Sequence, residues 1–283
     1  MPVLTELNLY PIKSCAGISL RKATVTAIGL MSGGIHDREW MVVDSDGNFL
    51  TQREHPAMAR ITPHLKTDTL LLHAPDMAPL EIPLNLPDSD DAPTLNVKVW
   101  EDTLKAYDCD ETTATWFSKA IGVRCRLVRF HPHAKRVANS KWTGGSDVQT
   151  LFADGFPMLI ISEASLDDLN QKLIAQVRMP LPMNRFRPNL VIAGIDAFEE
   201  DYAASIQIGD ARLQPVKPCP RCPIPSVDQT TGIAGPDPLD ILQHYRANPK
   251  VDGAITFGMN VILLEGEDNV LEVGQEAAIE LAF

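Results

Sequence analysis

The sequence predicts a mixed α+β fold that is predominantly β, and three observations carry this. The 283 residues include 22 prolines, above the usual share of about 5%, and that many breakers favour short strands and loops over long helices. Short apolar runs alternate with turn residues through the first hundred positions, the pattern of strands and hairpins. Only three stretches carry helix start and stop signals.

The elements follow in order. Val25 and Ala27 alternate with threonines, as a half-buried strand requires. Trp40–Val43 leads through Asp44-Ser-Asp-Gly47 into Phe49–Arg53, and an Asp-Gly step between apolar runs signals a hairpin. Pro75 to Pro93 is rich in prolines and acids and reads as a surface excursion. Thr112–Ile121 places Trp116, Phe117, Ala120 and Ile121 on one helical side, with Gly122 at the stop. A second helix is expected from Ser165, which offers a cap, with Leu166, Leu169 and Leu173 as its buried stripe. A third is expected from Asp237-Pro238, with Leu239, Leu242 and Tyr245 inward. Strands are expected at Met158–Ile161, Leu190–Ala193, Ile206–Ile208 and Val261–Leu264. Gly274 introduces a closing strand at Ala277–Leu281. The length favours two domains, with a boundary in the 100–130 region where helix and turn signals cluster.

Composition excludes some partners. Lys+Arg 25 against Asp+Glu 37 gives a net charge of −12, which argues against a broad nucleic-acid or anionic-membrane surface. No apolar run approaches the ~18 residues of a membrane span. Met1–Glu6 lacks a basic segment followed by an apolar one, so no signal peptide is visible. The five cysteines are an odd count with Cys15, Cys109 and Cys125 widely scattered, as for reduced thiols in a cytoplasm. A cytoplasmic location is expected.

The most informative segment is Cys219-Pro-Arg-Cys222, followed by Asp228-Gln-Thr-Thr-Gly232. Lys217 and Arg221 favour thiolate, the form that ligates metals. Structural zinc, a redox dithiol, a buried thiol pair and a cofactor ligand all compete for this pair. Zinc lacks a second Cys-x-x-Cys or His pair. A thioredoxin-like dithiol should open a helix, whereas prolines at 218, 220, 223 and 225 predict a stiff loop. Three further segments join a turn to a base. Tyr10-Pro-Ile-Lys-Ser-Cys-Ala-Gly17 offers Lys13 and Ser14 to an oxyanion. Asp37-Arg38-Glu-Trp40 sets an arginine before a strand, and Asn184-Arg-Phe-Arg-Pro-Asn189 sets two arginines and two amides before another. Each alone is more often a solvated charge or a surface ion pair. His131 and His133 read as a solvated loop. No Gly-x-Ser-x-Gly, P-loop or Gly-x-Gly-x-x-Gly supports a serine hydrolase, nucleotide triphosphatase or Rossmann dehydrogenase.

Taken in order, these segments, together with Ser162-Glu-Ala-Ser-Leu166, Asp168-Leu-Asn170 and Val227-Asp228, resemble the MOSC family, named for the molybdenum cofactor sulfurase C-terminal domain. The branch is the two-domain kind of the amidoxime-reducing components and their YcbX-like bacterial relatives. The resemblance implies an N-terminal β-barrel-like domain over 1–120 and a MOSC β-barrel domain with a few helices over 125–283. It implies that Cys222 ligates molybdenum and that Lys13, Ser14, Arg38 and Arg187 hold the molybdenum cofactor (molybdopterin) and its phosphate. Ser162 and Asn184, on matched or adjoining segments, complete the cofactor-binding candidates. The implied activity is oxygen removal from small N-hydroxylated substrates. The sequence departs from some bacterial relatives in showing no iron–sulfur cysteine spacing. Electrons are therefore expected from a separate flavoprotein, ferredoxin or cytochrome b5-like donor. Sulfur transfer through a persulfide and non-catalytic carriage of the cofactor are the alternatives.

Overall fold

The computed structural model describes residues 1–85 and 92–282. Its centre is a nine-stranded sheet. In spatial order it runs Ile18–Leu20, Val3–Leu9, Leu190–Ala193, Met158–Ser162, Ala254–Glu265, Ala211–Pro220, Ala203–Ile208 and Ala277–Leu281. The short Ala247–Asn248 pairs beside Ala254–Glu265. The N-terminal strand Val3–Leu9 thus neighbours Leu190–Ala193, and residues far apart in sequence are brought to one surface. Met158–Ser162 and Leu190–Ala193 are the parallel neighbours. Such a pair needs a crossover, and the helix α2 (Glu163–Ala175) lies within it.

Three smaller antiparallel sheets complete the β framework. One orders Thr94–Val99, Asp102–Asp108, Arg126–Phe130 and Trp40–Val43; the others are Val270–Glu272 with Lys22–Thr26, Gly29–Ser32 and Ile35–His36, and Thr62–Leu65 with Thr69–His73 and Leu80–Pro83. The fold is predominantly β, as the proline-rich composition predicts. A continuous apolar core joins Leu4, Leu7 and Leu9 to Trp40, Leu190 and Val261. Fully burying each such large side chain stabilises the fold by roughly 1.5–3 kcal/mol. Among the described residues no helix is long and apolar enough to cross a membrane.

The helix α1 (Glu111–Ile121) forms where its signals lie, with Asp110 accepting from the Thr113 N–H and Gly122 closing it at φ 85°. Several expectations are corrected. The α2 cap is Ser162, not Ser165, although Leu166, Leu169 and Leu173 are buried as expected. The expected third helix is a single turn, α3 (Leu239–Leu242), burying Ile241 and Leu242. The Asp44–Gly47 turn forms, with a bridge at Phe49 and a Leu50 N–H bond to the Val42 carbonyl at 2.9 Å, but its second arm does not extend into a strand. Trp40–Val43 pairs instead with Arg126–Phe130. Within the expected 75–93 excursion, Leu80–Pro83 is a strand, and 86–91 lie outside the described residues. Cys219 stands in a strand, because Ala211–Pro220 absorbs its prolines through three register shifts against Ala254–Glu265.

Candidate functional site

A cavity of about 420 Å³ opens between segments drawn from the first and second halves of the chain. Four strand-end segments line it: the loop after Val3–Leu9, the residues before Trp40–Val43, those before Leu190–Ala193, and the end of Ala211–Pro220. Backbone hydrogen bonds stitch the first two together. Arg38 N–H donates to the Tyr10 carbonyl at 2.7 Å, and Lys13 N–H donates to the Trp40 carbonyl at 2.8 Å. Gly17 is required by a close approach, since a Cβ there would stand 2.5 Å from the Tyr10 ring.

Tyr10 and Asp37 are buried behind the lining and hold its arginines in place. The Arg38 and Arg187 guanidinium carbons lie 4.3 and 4.4 Å from the Tyr10 ring centre, within cation–π range. Asp37 is buried, pairs with Arg38, and accepts from the Tyr10 N–H at 2.8 Å and from Asn189 Nδ2 at 2.9 Å. Burial pushes the Tyr10 phenol up to about 12, with Arg187 opposing. Burial also brings the Arg187 guanidinium down to about 10. Arg187 Nη1 donates to the Cys15 carbonyl at 2.6 Å, while Nη2 is buried with no partner.

Lys13 is 5% exposed. Its Nζ donates to Asp154 Oδ1 at 2.6 Å and to the Phe152 carbonyl at 2.9 Å. Burial lowers its proton affinity, and the Asp154 charge works against that. Crowding by the pocket walls would raise the Asp154 carboxyl, but the charge and hydrogen bond of Lys13, then Arg38 and the Trp100 indole, hold it below the usual carboxylate range. Cys219 packs against the cluster containing Phe186 and Phe257, and its Sγ is 3.4 Å from Arg221 Nη1. Cys222 lies beyond the strand end and also lines the cavity.

Backbone strain gathers here. Ser14, Arg38, Trp100 and Arg187 line the cavity and have φ of 65°, 51°, 55° and 57°. A left-handed non-glycine residue costs of order 1–3 kcal/mol, and such residues cluster where a ligand must be met.

Lys13, Ser14, Arg38, Arg187 and Cys222 are therefore brought together. Ser162 and Asn184 do not line this cavity. Ser162 is fully buried; its Oγ accepts from the Ser165 N–H at 3.1 Å and its N–H donates to Glu200 at 3.1 Å. Asn184 is exposed on the turn Met183–Arg185, one side away from the cavity-facing Phe186 and Arg187. Sequence reasoning missed Asp154, Trp100 and Phe49, which carry no motif. It read Arg221 and Lys217 only as charges beside the thiols, and both line the cavity.

Comparison with known proteins gives this geometry its context. The model of the MOSC N-terminal beta barrel domain matches residues 1–124, and that of the MOSC domain matches 147–278. The chain belongs to the MOSC family. It is 38% identical over 249 residues to the rat mitochondrial amidoxime reducing component 2, covering 86% of this chain and 72% of the relative. The mouse mitochondrial amidoxime-reducing component 1 is 36% identical over 247 residues, covering 86% and 71%. The human component 2 is also 36% identical over 247 residues, covering 86% and 72%. The N-terminal match supplies Lys13, Ser14 and Arg38, and the MOSC match supplies Arg187, Cys219 and Cys222. The cavity is thus built jointly by the two matched segments.

Proposed function

We propose that this cavity holds the molybdenum cofactor and that the protein reduces N-hydroxylated compounds by removing their oxygen. The observation that carries this reading is the convergence of Cys222 with Lys13, Ser14, Arg38 and Arg187 on one cavity, with Ser14, Arg38 and Arg187 in left-handed backbone. The relatives named for amidoxime reduction, 36–38% identical over most of the chain, support the same chemistry.

The residues present fit such a group. A phosphorylated pterin carrying molybdenum needs a soft ligand for the metal, and cationic, N–H and O–H donors for the phosphate. Cys222 is the soft ligand; Lys13, Ser14, Arg38 and Arg187 are the donors. Arg187 makes the fit specific, because its Nη2 is buried and unpartnered. A guanidinium stays charged at neutral pH, so an anionic oxygen is what relieves it.

When bound, the cofactor supplies two-electron oxygen-atom transfer chemistry. The chain supplies position. Cys222 would hold the metal through its sulfur, Arg38 and Arg187 are fixed against Tyr10, and Asp154 orients the Lys13 ammonium. An amidoxime with two electrons and two protons gives an amidine and water, with the N–O bond broken. The electrons would come from a separate donor of the flavoprotein, ferredoxin or cytochrome b5-like kind.

Protein produced in molybdate-fed cells is expected to carry molybdenum and a fluorescent pterin and to reduce a simple amidoxime. Cys222→Ala should abolish that turnover. Full turnover in the variant, or a persulfide on Cys219 or Cys222 in protein without molybdenum, would overturn the reading.

A further inference from the structure

Beyond the cofactor anchors, the cavity is lined by a second group, Trp100, Phe49 and Arg53, of which Phe49 lies 5.1 Å from Lys13 Nζ and the Trp100 indole helps hold Asp154. Trp100 opens a two-residue loop, Trp100-Glu101, between the paired Val99 and Asp102. Trp100 has positive φ and Glu101 does not, the pattern of a type II′ turn, whose first position normally takes glycine. The bulkiest side chain therefore occupies a position that disfavours any side chain, and it remains 48% exposed. Neither its backbone nor its burial explains its presence.

Its surroundings suggest what does. The Trp100 ring stands edge-on to Phe49 with centroids 5.0 Å apart. The Arg53 guanidinium lies 5.2 Å from the indole centre. Arg53 is exposed, its side chain bonds to Thr51 Oγ1 at 3.3 Å, and it pairs with no carboxylate among the described residues. A flat ring can stack on an indole held this way, and a guanidinium beside it favours a carboxylate.

We infer that Trp100, Phe49 and Arg53 form a substrate subsite at the cavity rim that selects a flat aromatic ring bearing an acidic group. The geometry stands on its own, while the identity of the reacting group rests on the reductase reading above.

The test measures binding by calorimetry to the cofactor-loaded protein, using a matched alkyl amidoxime, an aryl amidoxime and its para-carboxylated form. Wild type is expected to bind the carboxylated aryl compound most tightly and the alkyl compound least. Trp100→Gly, which gives the turn its favoured residue, should shrink the aryl-over-alkyl preference by about fivefold with a Tm no lower than wild type. Trp100→Phe should keep part of it. Arg53→Gln should shrink the carboxylate preference alone, by about fivefold at an exposed pair. Preferences that persist in Trp100→Gly, or losses equal for all three compounds, would overturn the subsite. Turnover of the same compounds separates the two readings. Selective binding without reduction leaves the subsite standing and removes the reductase, whereas reduction with flat preferences does the reverse.

Discussion

Two buried polar clusters in this molecule look alike in sequence and differ in chemistry. One surrounds Arg187 and Lys13; the other joins Ser162, Ser165 and Glu200 beneath helix α2. Both contain charge-bearing side chains that are almost fully buried, and both leave an atom unpartnered: Arg187 Nη2 in one, Glu200 Oε2 in the other. The α2 cluster can neutralise itself. Burial raises the Glu200 carboxyl above its usual range, despite hydrogen bonds from Ser165 and Ser162, so a proton can remove the charge. The cavity cluster has no such relief, because its orphan belongs to a guanidinium and its backbone is left-handed at three anchors. A closed polar cluster thus stabilises a helix start, and an open, uncompensated one awaits an anion.

The sharpest way to break this contrast is to substitute Arg187. Arg187→Met should cut molybdenum and pterin retention by tenfold or more, since a charged hydrogen bond contributes about 1.5–3 kcal/mol. The Tm of the cofactor-free protein should not fall below wild type, because the change removes an uncompensated buried charge. Retained cofactor in this variant would erase the distinction between the clusters. A smaller effect is expected at Ser162→Ala. Loss of the cap should cost about 1 kcal/mol in chemical denaturation, with cofactor content unchanged. The smallest is a pH effect. Because the folded-state affinity of Glu200 for a proton is raised above the usual 4.5, the wild type is favoured below that pH and loses stability as pH rises through the raised value. Glu200→Gln removes this slope. Its Tm relative to wild type should therefore climb from pH 4.5 upward, and a flat difference would show that Glu200 is not protonated in the fold.

What the sequence revealed follows from where each cause lies. The α1 stop at Gly122, the Asp44–Gly47 turn and the leucine stripe of α2 are set by neighbouring residues, and they appear where expected. The α2 cap was misread because Ser162 and Ser165 are equivalent over a short window. The choice between them depends on Glu200, 35 residues beyond Ser165. Lys13, Ser14, Arg38, Arg187 and Cys222 were found through their motifs, but only the pairing of the N-terminal strand with Leu190–Ala193 and the folding of the sheet bring them to one cavity. Trp100 was illegible for the opposite reason. Turn rules read glycine at its position, so a residue retained against local preference carries no sequence signal. Asp154 is recognised only once Lys13 is placed beside it.

The central claim is that the Cys222 sulfur binds molybdenum in a cavity whose anchors come from both matched segments of the chain. X-ray absorption at the molybdenum edge, comparing wild type with Cys222→Ser, tests it most directly. The account predicts one sulfur fewer around the metal in the variant. An identical sulfur shell in the two proteins would contradict it.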